Sequence, residues 1–364
     1  MRSIASGYRV GLRLAICICT LSALVFGQWI SVESSETAAG LRGVHNAGNG
    51  IIWATGTGGT VLRSEDDGFV WQKCAIPEGA RSLDFRGVWA WDANRAIVMS
   101  SGTGDASRLY DTQDGGATWR LLFSNPDPTG FWDGIAFSGN LGILVGDPVN
   151  GRLTVFRTKD LGQHWTRDSD HRLAAEPKGE GIFAASNSSL TTRGGGTTFA
   201  FVTGGASGSR FFGLLTMLVV SGPNERRLES WSSAVLPLAS GNESSGAFST
   251  GFRSPEIGVV VGGDYKQPTK TEGTAAFTSD SGIHWTASMK PPSGFRSAVA
   301  WEPKFHCWIA AGPNGSDLSF DDGRTWQPFD KGNWNALSLP WVVGPKGQIA
   351  RLDEEAVKAS GPKK

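Results

Sequence analysis

Five times along the 364-residue chain a Ser or Thr is followed at fixed offsets by Asp, Gly and Trp: SEDDGFVW (64–71), TQDGGATW (112–119), TKDLGQHW (158–165), TSDSGIHW (278–285) and SFDDGRTW (319–326). Repetition at this spacing is a statement about architecture, because a chain that reuses one local solution is stacking one structural unit against copies of itself. A second, independent repeat agrees. Short apolar runs ending near a glycine recur seven times, as IIWATG (51–56), AIVMSSG (96–102), GILVG (142–146), FAFVTG (199–204), GVVVG (258–262), CWIAAG (307–312) and WVVG (341–344). Each is preceded by a small residue before an apolar one, at Gly43, Gly87, Gly134, Gly181, Ala247, Ala298 and Ala336.

A small-apolar strand, an apolar strand ending in Gly, a third strand, an Asp-Gly turn and a last strand opened by Trp make four antiparallel strands per unit. Units of roughly 40 to 50 residues with this content predict an all-β, seven-bladed β-propeller. Blades are expected to start near residues 41, 84, 131, 180, 246, 295 and 334, within a domain spanning 28–352 and followed by a charged tail, 353–364. The last unit lacks a fourth strand, and WISVES (29–34) supplies one, so the ring is expected to close by pairing its two ends and to leave no open edge. Blade 4 lacks the Asp-Gly turn, and its third strand is expected within FFGLLTMLVV, a run too short to cross a bilayer.

In the turn, a short carboxylate can accept backbone N–H groups while the glycine takes positive φ. Asp66, Asp114, Asp160, Asp280 and Asp321, with Gly68, Gly116, Gly162, Gly282 and Gly323, are therefore read as peripheral scaffold rather than chemistry. The same reading covers His164 and His284, which precede the turn Trp. Trp71, Trp119, Trp165, Trp285 and Trp326 are expected to begin the outer strands and to be buried. These matches resemble the Asp-box or BNR repeat of sialidases, some endoglucanases and sortilin-like receptors. With glycine-ended second strands such as WATGTGGTVLRSEDDG, the chain is most similar to the photosystem II stability/assembly factor family of BNR (WD40/YVTN-like) propellers. That resemblance implies a non-enzymatic extracytoplasmic assembly or interaction protein.

Composition removes other classes. Lys plus Arg and Asp plus Glu balance at 34 and 34, which gives no basic footprint for nucleic acid. Arg2, Arg9 and Arg13 precede the apolar run Leu14–Phe26, a pattern that predicts a secretory signal peptide over 1–27 and a periplasmic or secreted mature protein. Cys74 and Cys307 are the two cysteines beyond it, and they are expected to stay unpaired. No HExxH, CxxC, GxSxG or phosphate-loop signature occurs, so neither cofactor nor metal is expected. A sialidase-type glycoside hydrolase is the competing reading, but the Phe-Arg-Ile-Pro element is absent and only Tyr110 and Tyr265 follow the signal segment.

The residue before the small one in each first strand should form the channel mouth: Arg42, Arg86, Asp133, Glu180, Gly246, Ser297 and Asn335, with Trp132, Arg296 and Trp334 beside them. This rim is the candidate binding site, suited to a protein or peptide partner in the cell envelope, with a glycan as the alternative ligand and the protein acting as a monomer. The plainer alternative to a docking face is that Arg86 and Asp133, on adjacent blades, form an ordinary surface ion pair, and the blade 5 loop GGDYKQPTKTEG is the next candidate site.

Overall fold

A computed structural model describes residues 28–32, 37–177, 179–193, 198–221 and 224–362, with the side chains of 216–228 outside that description; the expected signal segment lies outside the described residues. Seven antiparallel sheets follow one another around a ring. Blade 1 is Leu41–Gly48, Ile51–Gly56, Thr60–Ser64 and Gln72–Lys73; blade 2 is Phe85–Ala90, Ala96–Ser100, Arg108–Thr112 and Arg120–Ser124. Blade 3 is Trp132–Ser138, Leu141–Val149, Arg152–Thr158 and Thr166–Arg167; blade 6 is Ala298–Glu302, Cys307–Gly312, Gly315–Ser319 and Gln327–Asp330. Blade 5 is built on Ser245–Phe252, Gly258–Asp264, Ala275–Thr278 and Thr286–Ala287.

Blade 7 takes its first three strands, Ala336–Ser338, Trp341–Val343 and Ile349–Leu352, from the end of the chain and its fourth, Trp29–Val32, from the beginning. Trp29 lies opposite Leu352, and its indole donates to the Ser316 hydroxyl at 3.0 Å. The ring is thus closed by the N-terminal strand.

The second strands read as unbroken apolar runs because each blade is covered on both faces by its neighbours. The buried residues accordingly form seven clusters, one between each pair of adjacent blades, rather than one central core. The small residues near the channel are set by crowding. A Cβ on Gly43 would meet the Thr55 hydroxyl at 2.5 Å and the carbonyl of Arg86, on the next blade, at 3.1 Å.

The five Asp-Gly turns share one geometry. In the first, the Ser64 hydroxyl donates to Asp66 Oδ1 (2.8 Å) and accepts the Gly68 amide (3.0 Å), while Val70 N–H donates to Asp66 Oδ1 (2.9 Å). Positive φ falls on the glycine and on the residue before it, as at Leu161 (61°) and Gly162 (86°). The second carboxylate oxygen takes the side chain just before the Trp where that side chain can donate: Thr118 and Thr325 hydroxyls at 2.6 Å, His164 and His284 Nδ1 at 2.6 Å. The tryptophans immediately precede the outer strands, but burial is uneven. Trp71 and Trp326 are buried, whereas Trp119, Trp165 and Trp285 are half-buried. They pack against the interblade clusters as partly buried residues.

Two further expectations are corrected. Blade 4 does not begin at residue 180; it is Leu190–Arg193, Thr198–Val202, Ser209–Ser221 and Asn224–Leu236, the last two forming a regular long hairpin. Glu180–Gly181 instead pairs with Gly204–Gly205, which joins blade 5 through Gly204 and Gly246. The true inner strand, LTTR, is polar and carries no small-apolar signature. The tail is also structured: Asp353 accepts the amides of Glu355 and Ala356 and caps a helix, Glu354–Ser360, that buries Ala356 and Val357 against the cluster of blades 6 and 7. Cys74 and Cys307 are both free.

Candidate functional site

The segment from Ile182 to Ser189 leaves the ring and crosses the central channel. Ala184 O accepts Arg86 Nη1 of blade 2 (3.1 Å), and Asn187 clamps Ile135 of blade 3 by accepting its N–H (2.8 Å) and donating to its carbonyl (3.0 Å). Ser188 pairs with Ser249 of blade 5 (2.7 Å), and Ser186 donates to Ser297 O of blade 6 (2.7 Å). Four blades are therefore tied to one strap. Asn187 adopts φ 65°, a conformation that Asn tolerates better than most residues.

Above the strap lies a cavity of about 380 Å³, with Phe183, Ala184 and Ala185 in its lining. Five predicted rim residues line it with them: Arg42, Arg86, Asp133, Ser297 and Asn335. Trp334 also lines it, with its indole donating to Asp330 Oδ2 at 3.0 Å. Arg42, Arg86 and Asp133 each fall where the pairing of the first and second strands skips one residue, between Leu41 and Gly43, Phe85 and Gly87, and Trp132 and Gly134. Such bulges re-aim the extra side chain away from the sheet. Phe248, missed from the sequence, sits at the same kind of skip in blade 5 and also lines the cavity.

Other rim expectations fail for stated reasons. Glu180 is buried among scaffold: it accepts from the Thr203 hydroxyl (2.5 Å) and from Arg210 Nε (2.9 Å). Trp132 is fully buried against Phe123 (centroids 5.2 Å) and Phe156. Arg296 is fully buried too, its Nε on Asp317 Oδ2 at 2.7 Å. Trp132 and Arg296 occupy the position one before the rim residue, and alternation along the strand turns them into the blade. Alternation also supplies the missed signal, since Asp84, Phe131 and Phe295, two before a rim residue, return to the cavity side. Phe131 and Phe295 line the cavity, and Asp84 pairs with both arginines.

The mouth is electrostatically divided. Arg86 does not pair with Asp133; its Nε donates to Asp84 Oδ2 at 2.8 Å, and Arg42 Nε lies 3.5 Å from the same oxygen. Burial, and then the neighbouring Arg86, lower the Arg42 pKa from its ordinary value. Across the cavity Asp133 is 1 % exposed, and its Oδ2 makes no hydrogen bond. Burial, with the charge of Asp147 next, raises its pKa well above the ordinary carboxylate value. Asp147, whose Oδ1 accepts the Ile182 amide at 2.9 Å, is raised by burial as well. The remaining wall is aromatic: Phe183 stacks on Phe248 at 3.8 Å, and Phe295 and Tyr265 meet Phe248 edge-on at 4.6 and 6.2 Å. Tyr265 brings the blade 5 loop into the site. Among the described residues no group of three His, Cys, Asp or Glu side chains is placed to hold a metal ion.

The surroundings suit a ligand that offers a carboxylate to the two guanidiniums and an apolar group to the rings. No protein-family model and no curated protein matches the chain. Solved structures do. A structure of YCF48 bound to D1 peptide aligns over 91 % of this chain and 98 % of its own, with 18 % identity and a TM-score of 0.57. YCF48 from Cyanidioschyzon merolae aligns over 90 % of this chain and 100 % of its own, with 17 % identity and a TM-score of 0.61. An ancestral GH74 enzyme aligns over 91 % of this chain and 47 % of its own at 12 % identity and a TM-score of 0.52. At these identities the likeness is one of fold.

Proposed function

We propose that this chain is a non-enzymatic docking protein that acts outside the cytoplasm and receives a segment of a partner protein in the mouth of its channel, in the manner of an assembly factor. The observation that carries the reading is the cavity itself: a strap-floored cup in which Arg42 and Arg86 face an aromatic wall. Arginine presents several N–H donors in a fixed fork and suits capture of a carboxylate, such as a chain terminus. Likeness of fold to a propeller solved with a bound peptide supports the same reading. The apolar run within residues 1–27 supports the location.

The test compares peptides ending in a free carboxylate with the same peptides amidated, on the wild-type protein and on an Arg42→Gln, Arg86→Gln double variant. Free-acid peptides are expected to bind the wild type at least about tenfold more tightly than amides, equivalent to about 1.4 kcal/mol. The double variant should lose that preference while keeping its fold by circular dichroism. Equal binding of acid and amide peptides by the wild type would refute the reading. The competing hydrolase reading draws on the Asp133–Asp147 pair, since paired carboxyls serve glycoside hydrolysis. It requires turnover of fluorogenic glycosides that Asp147→Asn abolishes.

A further inference from the structure

The charges around the mouth do not balance. Two guanidiniums, Arg42 and Arg86, face three carboxyls, Asp84, Asp133 and Asp147, and Asp84 is already shared between both arginines. Among the described residues neither Asp133 nor Asp147 has an ion-pair partner: the charge of Arg86 reaches Asp133, but burial and the charge of Asp147 outweigh it. Asp133 is almost wholly buried at the cavity wall with Oδ2 unpartnered. A buried carboxyl in this position has to carry a proton or find a cation.

We infer that Asp133 and Asp147 form an acidic subsite for an organic cation, the guanidinium or ammonium of an Arg or Lys side chain in the docked segment. The inference rests on the docking reading above and specifies its ligand: a segment that brings a basic side chain to the Asp133–Asp147 wall as well as a carboxylate to the arginines. The aromatic lining favours this class of ligand over an inorganic ion, because Phe131, Phe183 and Phe248 can cover the alkyl stem and offer ring faces to the charge.

Proton balance follows directly. On this inference the free pair shares a proton, the direction in which burial shifts both groups. When the cation enters, an Asp–COOH becomes Asp–COO⁻ beside the ligand, and one proton leaves to solvent. Arg86 is the cation whose charge reaches Asp133; the backbone amides of Asp147 and Ala184 adjoin the Asp133 carboxyl, the Ile182 amide donates to Asp147, Arg42 and Tyr265 line the same cavity, and Asp84 pairs with both arginines. The proton released comes from the pair.

The experiment is calorimetric titration of the full chain with Nα-acetyl-arginine amide and with its neutral isostere, Nα-acetyl-citrulline amide, between about pH 5 and about pH 8. The arginine compound is expected to bind at least about tenfold more tightly at the upper pH. Its affinity should rise with pH, approaching about tenfold per unit where one proton is displaced, and heats in buffers of different ionisation enthalpy should report proton release. Asp147→Asn and Asp133→Asn should each abolish the preference over citrulline. Equal affinity for the two compounds, a preference unchanged in both variants, or no binding of the arginine compound at millimolar concentration would overturn the inference. Any of those results alongside intact, Arg42- and Arg86-dependent capture of free-acid peptides removes the acidic subsite alone and leaves the docking reading standing.

Discussion

Asp133 costs the free protein stability at neutral pH. Its carboxyl titrates above the ordinary range because burial and Asp147 oppose its charge, so the folded state binds a proton more tightly than the unfolded chain. Stability is then fullest below the ordinary carboxylate pKa of about 4 and falls as pH rises toward the folded value. Asp133→Asn should therefore raise the melting temperature at neutral pH, with the gain shrinking toward about pH 4. The turn aspartates behave in the opposite sense. The Thr118 hydroxyl and amide hold Asp114 down at about 2, and the His284 amide does the same for Asp280. Their contribution is present above about pH 4 and is lost as pH falls toward 2. Denaturant midpoints should drop across that window, less steeply in Asp114→Asn. Both kinds of aspartate were visible in the sequence, but only the turn pattern disclosed its role. Asp147 and Asp84 repeat in no motif, and the burial that sets the character of Asp133 comes from a strap contributed by another part of the chain.

At the scale of the element, the outer tryptophans divide by how deeply each enters an interblade cluster. Trp326 is 2 % exposed, and its indole donates to Gly323 O at 3.2 Å. Trp326→Ala should cost roughly 3–5 kcal/mol in urea denaturation, as large-to-small core changes do. Trp119→Ala should cost less, because Trp119 is only half-buried and packs edge-on against Trp53 at 6.4 Å. A larger loss for Trp119 would contradict this assignment of depth. Strands whose two faces are both covered were legible as apolar runs, which is why blades 1 to 3 and 5 to 7 could be read in order. The inner strand of blade 4 was not, because LTTR offers no apolar periodicity, while Gly181-Ile182 imitates the small-apolar signature without belonging to a first strand. The strap itself lacks a repeat and a period; its course is set by hydrogen bonds to four blades, which local sequence does not encode.

For the molecule as a whole, the strap makes the two ends of the channel unequal, so a ligand in the cavity approaches from the side of Arg42 and Asn335. Ring closure sets a second property. Removing residues 28–32 would expose the edge of Ile349–Leu352, which pairs with Trp29–Val32 in the intact ring. The truncated protein should melt at a lower temperature and self-associate in sedimentation velocity, because an unpaired edge recruits another strand; an unchanged melting temperature and a monodisperse boundary would show that closure contributes little. The same pairing bears on how the chain reaches its folded state during synthesis. Trp29 emerges before any strand of blades 1 to 6, yet the hydroxyl it bonds belongs to Ser316, 287 positions later. Blades between them can form hairpins as they appear, since their strands are neighbours in sequence, but the final circle waits for the last blade to be made. Until then a terminal blade offers an uncovered apolar face, and the slow, long-range step comes last. A nascent chain of this kind is most prone to aggregation just before its last blade is made.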